Sequence, residues 1–195
     1  VQDATVCEVS GDRTLRVTTG AVGAFYWFSD PGLTVPVADH VTSYLPPETT
    51  PGVYDYYVVD QDITGLLCVG PPAQVLLTIY PVIGNNTIAA AQTICNGSVP
   101  VALTGTPPSG GNTTYAYLWE RSTGGAGGPF SAAAGTNTNQ NYSPPALIQT
   151  TWFRRSVISG PWSSNSNVIQ VTVRPTPTAT ISGGTTVCQN AASPN

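Results

Sequence analysis

QTICNGSVPVALTG (residues 92–105) contains a tripeptide, Thr93-Ile94-Cys95, whose pattern the chain writes three times. Thr5-Val6-Cys7 precedes it by 88 residues and Thr186-Val187-Cys188 follows it by 93. The first two copies continue alike. A tryptophan lies 20 residues after Cys7, in AFYWFSD, and 24 after Cys95, in TYAYLWERS. Tyr44 and Tyr142 are each followed one residue later by a Pro-Pro pair, and both copies then enter an aromatic-rich stretch. Each closes on an alternating apolar run, VLLTIY in the first and VIQVTV in the second. An ordered set of matches at a near-fixed period is the signature of a repeat architecture. The expected units are 1–80 and 82–174, joined at Tyr80-Pro81. Residues 175–195 read as a Pro-bearing linker and the first strand of a third, incomplete repeat.

Inside each unit apolar residues recur every second position, which predicts strands and no helix. Strands are expected near 4–9, 13–19, 23–29, 33–37, 41–45, 53–60 and 73–80. In the second unit they are expected near 87–95, 99–104, 113–121, 129–132, 138–143, 150–158 and 167–174. Seven short strands in about 90 residues, with turn signals such as Asp30-Pro31-Gly32 between them, fit a β-sandwich. Trp27 and Trp119 fall on the third strand, where an immunoglobulin-like core holds its tryptophan. The predicted fold is therefore all-β, with tandem immunoglobulin-like sandwiches.

Composition narrows the function. Only 8% of residues are charged, and all six basic residues are arginine in a chain of net charge −4. Nucleic acid is an unpromising partner, because phosphate binding needs clustered positive charge. No stretch reaches the roughly 18 to 20 apolar residues of a membrane span. With no initiator methionine, the chain reads as an interior piece or a processed product. The first unit carries nine of the ten acidic residues and two arginines, net −7; the second carries Glu120 and four arginines, net +3. Opposite signs could favour a fixed angle between neighbours, but drift of solvated surface residues is the simpler account.

Cys7 and Cys68 lie on the first strand and just before the last strand of the first unit. A bridge between them would close a loop of about 60 residues and place the chain in an oxidising compartment; two buried free thiols are the alternative. Cys95 has no second cysteine in its unit and is expected to be a buried thiol, with Cys188 unpaired. His40 is the only histidine and there is no G-x-S-x-G, so a catalytic triad lacks parts. Glu120 is the second unit's only acid, so a glycosidase pair is missing there too. No enzyme activity and no cofactor are expected. Asp60 and Asp62 in VVDQDITG point the same way at a strand end and are weak calcium candidates; solvated turn residues explain them as well. The run GGAGGPF (124–130) reads as a hairpin tip. Trp152 and Trp162 lie close in sequence to Arg154 and Arg155, a grouping able to stack on a sugar or a partner protein.

QTICNGSVPVALTGTPPSGGNTTYAYLWERST, then NYSPPALIQTTWFRRSVISGPWSSNSNVIQVTV, resemble the immunoglobulin-like repeats of very large surface proteins in Bacteroidota, among them gliding-motility adhesins and substrates of the type IX secretion system. The tail ATISGGTTVCQNAASPN looks like the start of another repeat type common there. The first unit, through VCEVSGDRTLRVTT and AFYWFSD, matches more loosely. The resemblance implies an extracellular, non-catalytic stalk or filament segment on a bacterial outer surface. Its partners would be neighbouring repeats, sister subunits or a surface polysaccharide. In SGPWSSNSN, Trp162 stands where such repeats often carry the cysteine that pairs with the one at position 95, so a tryptophan is expected to fill that space. Two further readings are a fibre subunit that donates 176–195 as a strand to its neighbour, and a carbohydrate-binding module of a secreted enzyme.

Overall fold

The structure is a computed structural model that describes residues 1–8, 11–18, 24–61 and 69–177. Cys68, Asp62, Cys188 and the expected strand of a third repeat lie outside the described residues. Fifteen strands and no helix occur among the described residues. The first seven are β1 (Ala4–Cys7), β2 (Leu15–Arg16), β3 (Ala24–Phe28), β4 (Pro36–Asp39), β5 (Ser43–Tyr44), β6 (Gly52–Gln61) and β7 (Ala73–Tyr80). They form a sheet of order β1-β7-β6-β3-β4 faced by the small ladder β2-β5. The remaining eight are β8 (Ile88–Ala89), β9 (Gln92–Cys95), β10 (Thr104–Gly105), β11 (Ala116–Ser122), β12 (Ser131–Ala132), β13 (Thr151–Ser159), β14 (Trp162–Asn165) and β15 (Ile169–Arg174). These make the sheet β12-β11-β13-β15-β9, with β14 on β13, faced by the ladder β10-β8.

Both copies use one register. β1 runs parallel to β7 with Cys7 opposite Tyr80, and β9 runs parallel to β15 with Cys95 opposite Arg174. The next backbone N–H donates across in each case, Glu8 to the Tyr80 carbonyl at 2.9 Å and Asn96 to the Arg174 carbonyl at 2.8 Å. The repeated Thr-Val/Ile-Cys tripeptide is thus the strand that zips the start of each sandwich to its end. Leu15 pairs with Tyr44, and Leu103 bridges Tyr142. Trp27 and Trp119 are fully buried. Each indole packs on its tyrosine, at 6.1 Å for Trp27–Tyr44 and 5.6 Å for Trp119–Tyr142. Each tyrosine in turn meets a further ring, Tyr56 at 5.3 Å and Phe153 at 5.8 Å.

The second copy departs from the expected strands in several places; the strand expected at 99–104 is only Thr104–Gly105, with a bridge at Leu103. The strand expected at 87–95 is two strands, because Ala90 takes a φ of 83° and the chain crosses from the small ladder to the large sheet. The Gln92 side chain holds that crossing, donating to the Ala90 and Val101 carbonyls and accepting from the Val101 N–H. The segment 138–143 is reduced to the bridge at Tyr142. The segment 162–165, expected to be a loop, is β14. A period-two pattern marks which residues face inward but not where a strand changes sheets.

The two cores differ in chemistry most sharply at one position. The Trp27 row of the first sheet carries Val58, whereas the Trp119 row of the second carries Arg155. Arg155 is 0% exposed and has no carboxylate partner among the described residues. Neutral acceptors surround it instead: Asn86 Oδ1 takes bonds from Nε at 3.1 Å and Nη2 at 2.9 Å, Thr106 O one from Nη2 at 2.8 Å, and Gln140 O one from Nη1 at 3.0 Å. Cζ lies 5.2 Å from the Tyr117 ring. Burial pushes the guanidinium pKa down, with Tyr117 opposing it. Asn86 is itself fixed by donating to Ser164 O at 2.7 Å. The arginine fits only because residue 105 is glycine: a Cβ there would stand 1.9 Å from Nη1. A buried charge whose partners are removed is strongly destabilising. Gly105→Ala, which crowds the guanidinium out of its bonds, and Arg155→Met, which leaves its buried acceptors unpaired, should each cost roughly 2–4 kcal/mol in urea unfolding of the chain. Since both act on the same guanidinium, the double variant should fall short of the sum by about 1 kcal/mol or more; strict additivity would show that the two sites are independent.

Candidate functional site

β13 alternates cleanly. Thr151, Phe153, Arg155, Val157 and Ser159 are buried, while Trp152, Arg154, Ser156 and Ile158 lie on the outer face. Of the expected aromatic and guanidinium grouping, the structure keeps Trp152 and Arg154 on one face and separates the rest. Arg155 is in the core, a placement that sequence proximity to the tryptophans did not reveal. Trp162 pairs opposite Ser159, seven residues along β13 from Trp152 and roughly 23 Å away at the rise of a strand. Arg154 is already engaged. Its Nε donates to Glu120 Oε2 at 2.7 Å and its Cζ stands 4.3 Å over the Phe130 ring. The Trp, Tyr and Phe side chains are all buried or half-buried, and Trp152 and Trp162 stand too far apart to form one flat row of rings on a polysaccharide chain.

Trp162 does not fill space beside Cys95. Cys95 pairs with Arg174 at the end of the sheet where β13 begins, and Trp162 lies where β13 ends. Nor is Cys95 buried; its thiol is exposed, because β9 is the last strand of its sheet and the residue faces outward. Cys7 is buried and its thiol is free; its expected partner Cys68 lies outside the described residues. Asp60 Oδ1 is buried with no hydrogen-bond partner among the described residues, but Asp62 is not among them. No group of three or more His, Cys, Asp and Glu able to hold a metal occurs among the described residues. His40 is exposed, with Nε2 3.1 Å from the Tyr26 hydroxyl and Nδ1 3.7 Å from Asp39.

Trp162 meets the first repeat. Its ring centroid is 5.3 Å from that of Tyr80, the last residue of β7. Cys7, Val82, Ile83, Pro161, Trp162, Ser163 and Ser164 line a cleft of about 360 Å³ beside this contact. The linker is bonded at both ends. Tyr80 O accepts from Glu8, Pro81 O accepts from the Gly111 N–H at 2.8 Å, and Gly84 exchanges bonds with Ser109 at 2.9 and 3.0 Å. Gly110 is required here: its φ is 75°, and a Cβ would lie 2.0 Å from the Val82 carbonyl oxygen. Sequence reading expected a joint at Tyr80-Pro81 and named no docking partner for it, although Gly110-Gly111 in PPSGGN was an available signal.

Residues 84–175 match the family model described as Domain of unknown function (DUF8696). A comparison with curated protein sequences finds no match. Among solved structures, the chain is similar to three consecutive titin domains, with a TM-score of 0.55, 10% identity and coverage of 88% of this chain and 62% of that one. It is also similar to extracellular domains 3–5 of Drosophila OTK, with a TM-score of 0.53, 8% identity and coverage of 89% and 59%. Murine CEACAM1b gives a TM-score of 0.44 and 13% identity over 87% of this chain and 96% of that one. The chain spans about three fifths of the titin and OTK chains. At these identities the likeness shows the fold: tandem immunoglobulin-like β-sandwiches. No helix among the described residues is long and apolar enough to cross a membrane.

Gly110→Ala should release the linker without unfolding either repeat. Small-angle scattering should show a broader range of inter-repeat angles, while both sandwiches still unfold cooperatively and the second loses only about 1–3 kcal/mol for the left-handed alanine. An unchanged scattering profile would mean that the linker contacts do not set the angle.

Proposed function

We propose that this chain is a non-catalytic segment of a long bacterial cell-surface adhesin, in which immunoglobulin-like repeats in series form a stalk or filament that carries tension. One observation carries the reading. In each repeat the strand that carries the Thr-Val/Ile-Cys tripeptide and the last strand are parallel neighbours in the same register. Pulling the two chain ends apart then drags these strands past each other along their length. The ladder bonds share the load and must fail nearly together; a hairpin pulled open at one end loses them singly. Two further features support it. The linker is hydrogen-bonded to both repeats, so tension passes between sandwiches without a slack tether. At the far end of the second repeat, Cys95, Val99 and Ile148 are exposed, at the end that in the first repeat faces its neighbour, and this leaves apolar surface for a following unit to cover.

The resemblance of 92–173 to repeats of Bacteroidota surface proteins supports an extracellular site on the outer surface, and export by the type IX system with a role in gliding motility belongs to the same reading. Neighbouring repeats or sister chains are its proposed partners. A carbohydrate-binding module acting through a row of rings is disfavoured, since the half-buried Trp152 and Trp162 lie at opposite ends of β13. The fibre reading, with 176–195 donated as a strand, would be favoured over a stalk by helical order of identical chains in electron micrographs.

Single-molecule stretching from the two termini tests the proposal. Two separate unfolding events are expected, each releasing roughly 25–30 nm of chain. Asn96→Pro removes the donor to Arg174 O and should lower the force of one event while leaving the other unchanged. Gradual extension without force peaks would rule out a tension-bearing role.

A further inference from the structure

The second repeat holds four arginines, and three are accounted for. Arg154 is neutralised by Glu120, Arg155 is enclosed by neutral acceptors, and Arg174 stands exposed at the start of the linker. Arg121 differs from all of these. It is half-buried and forms no ion pair or side-chain hydrogen bond among the described residues. It lines a cleft of about 330 Å³ with Ser122, Thr123, Pro129, Phe130, Ser131 and Gln149. Its charge reaches far enough inward to favour ionisation of the buried Tyr142 phenol, against the larger upward push of burial.

The walls are built rather than incidental. Ser122 is 4% exposed and its Oγ accepts from the Gly124 N–H at 3.2 Å, which leaves its hydroxyl hydrogen free. Gly125 and Gly128 turn the loop back with φ of 132° and 88°, and the Gly128 N–H closes on Gly125 O at 3.2 Å. That turn brings Pro129 and Phe130 to the cleft, and the Arg154 guanidinium over Phe130 holds the ring in place.

We propose that this cleft binds a carboxylate-bearing sugar residue, such as the uronic acid of an acidic surface polysaccharide. A half-desolvated guanidinium with no counter-charge favours an anion, and its planar fork matches a carboxylate with two parallel hydrogen bonds. The hydroxyls of Ser122, Thr123 and Ser131 and the Gln149 amide both donate and accept, as recognition of a polyol requires. Pro129 and Phe130 offer an apolar wall to the C–H face of a sugar ring. The volume suits a single residue of a longer chain, so this mode of recognition needs no row of exposed rings. It does not depend on the tension-bearing role.

The test is calorimetric titration of the whole chain with a galacturonate trimer and with its methyl ester. The acid is expected to bind, with affinity falling as salt rises, and the ester to bind at least tenfold more weakly. Arg121→Gln should weaken binding of the acid roughly ten- to a hundredfold, whereas Arg174→Gln should leave it unchanged. Ser131→Tyr, at an exposed rim position, fills the cleft without altering charge and should block binding in a chain whose thermal unfolding matches the parent's. Equal affinity for acid and ester, or binding that survives both cleft variants, overturns the proposal. So does Arg121-dependent binding of a polyglutamate peptide, or of a second copy's acidic first repeat, in place of the saccharide.

Discussion

A buried indole N–H must find an acceptor, and in both repeats the same carbonyl supplies it. Trp27 Nε1 donates to Val41 O at 2.9 Å and Trp119 Nε1 to Asn139 O at 2.9 Å. Each acceptor stands three residues before the tyrosine that packs on the same indole. Leaving such a donor unpaired in a core costs about 1–3 kcal/mol, so this bond holds the segment before the tyrosine against the large sheet. The tyrosine then pairs with Leu15 or Leu103 in the facing layer. One side chain thus fixes the spacing of the two layers, and through the adjoining strand it sets the position of the last strand, on which the parallel closure depends.

Given that common frame, the divergence at Val58 and Arg155 is a substitution of chemistry at one site. In the first repeat the position is an ordinary aliphatic contact. In the second, a charge occupies it, and loops that would otherwise be free are drawn in: Asn86 from before β8, Thr106 from after β10, and Gln140 from before Tyr142. Gln140 also returns a bond to Gly105 O at 2.8 Å. The arginine therefore ties three connecting segments to the central strand, which explains how this repeat keeps its shape with long stretches outside any ladder. The glycine at 105 is the steric condition for it.

The repeat, the all-β class and the core aromatics were legible because each rests on a pattern that survives at the level of residue type. Cysteine spacing, a tryptophan at similar distance and period-two runs all report which residues face inward. What stayed hidden depends on backbone geometry or on long-range partners. The change of sheet at Ala90 is a single left-handed residue in a run of small side chains. The depth of Arg155 follows from a parity that the sequence does show, since it alternates with Phe153 and Val157, but an inward arginine is credible only once Asn86 and two carbonyls are seen around it. Trp162 was assigned by analogy to a neighbour of Cys95; the register of β14 on β13 puts it at the other end of the sheet.

That misplaced tryptophan explains why the joint between the repeats is well made. Tyr80 ends β7, so its carbonyl takes the last ladder bond of the closing strand pair, and its ring is the group that packs on Trp162. The residue that finishes the first sandwich thereby also docks on the second, and Pro81 and Gly84 after it are hydrogen-bonded to the second repeat. At the equivalent position the second repeat has Arg174, exposed and followed by Pro175. A charged side chain there gains nothing from burial against a neighbour, and the exposed apolar surface at that end is Val99 and Ile148 instead. Two repeats with the same strand register therefore present different chemistry at their far ends.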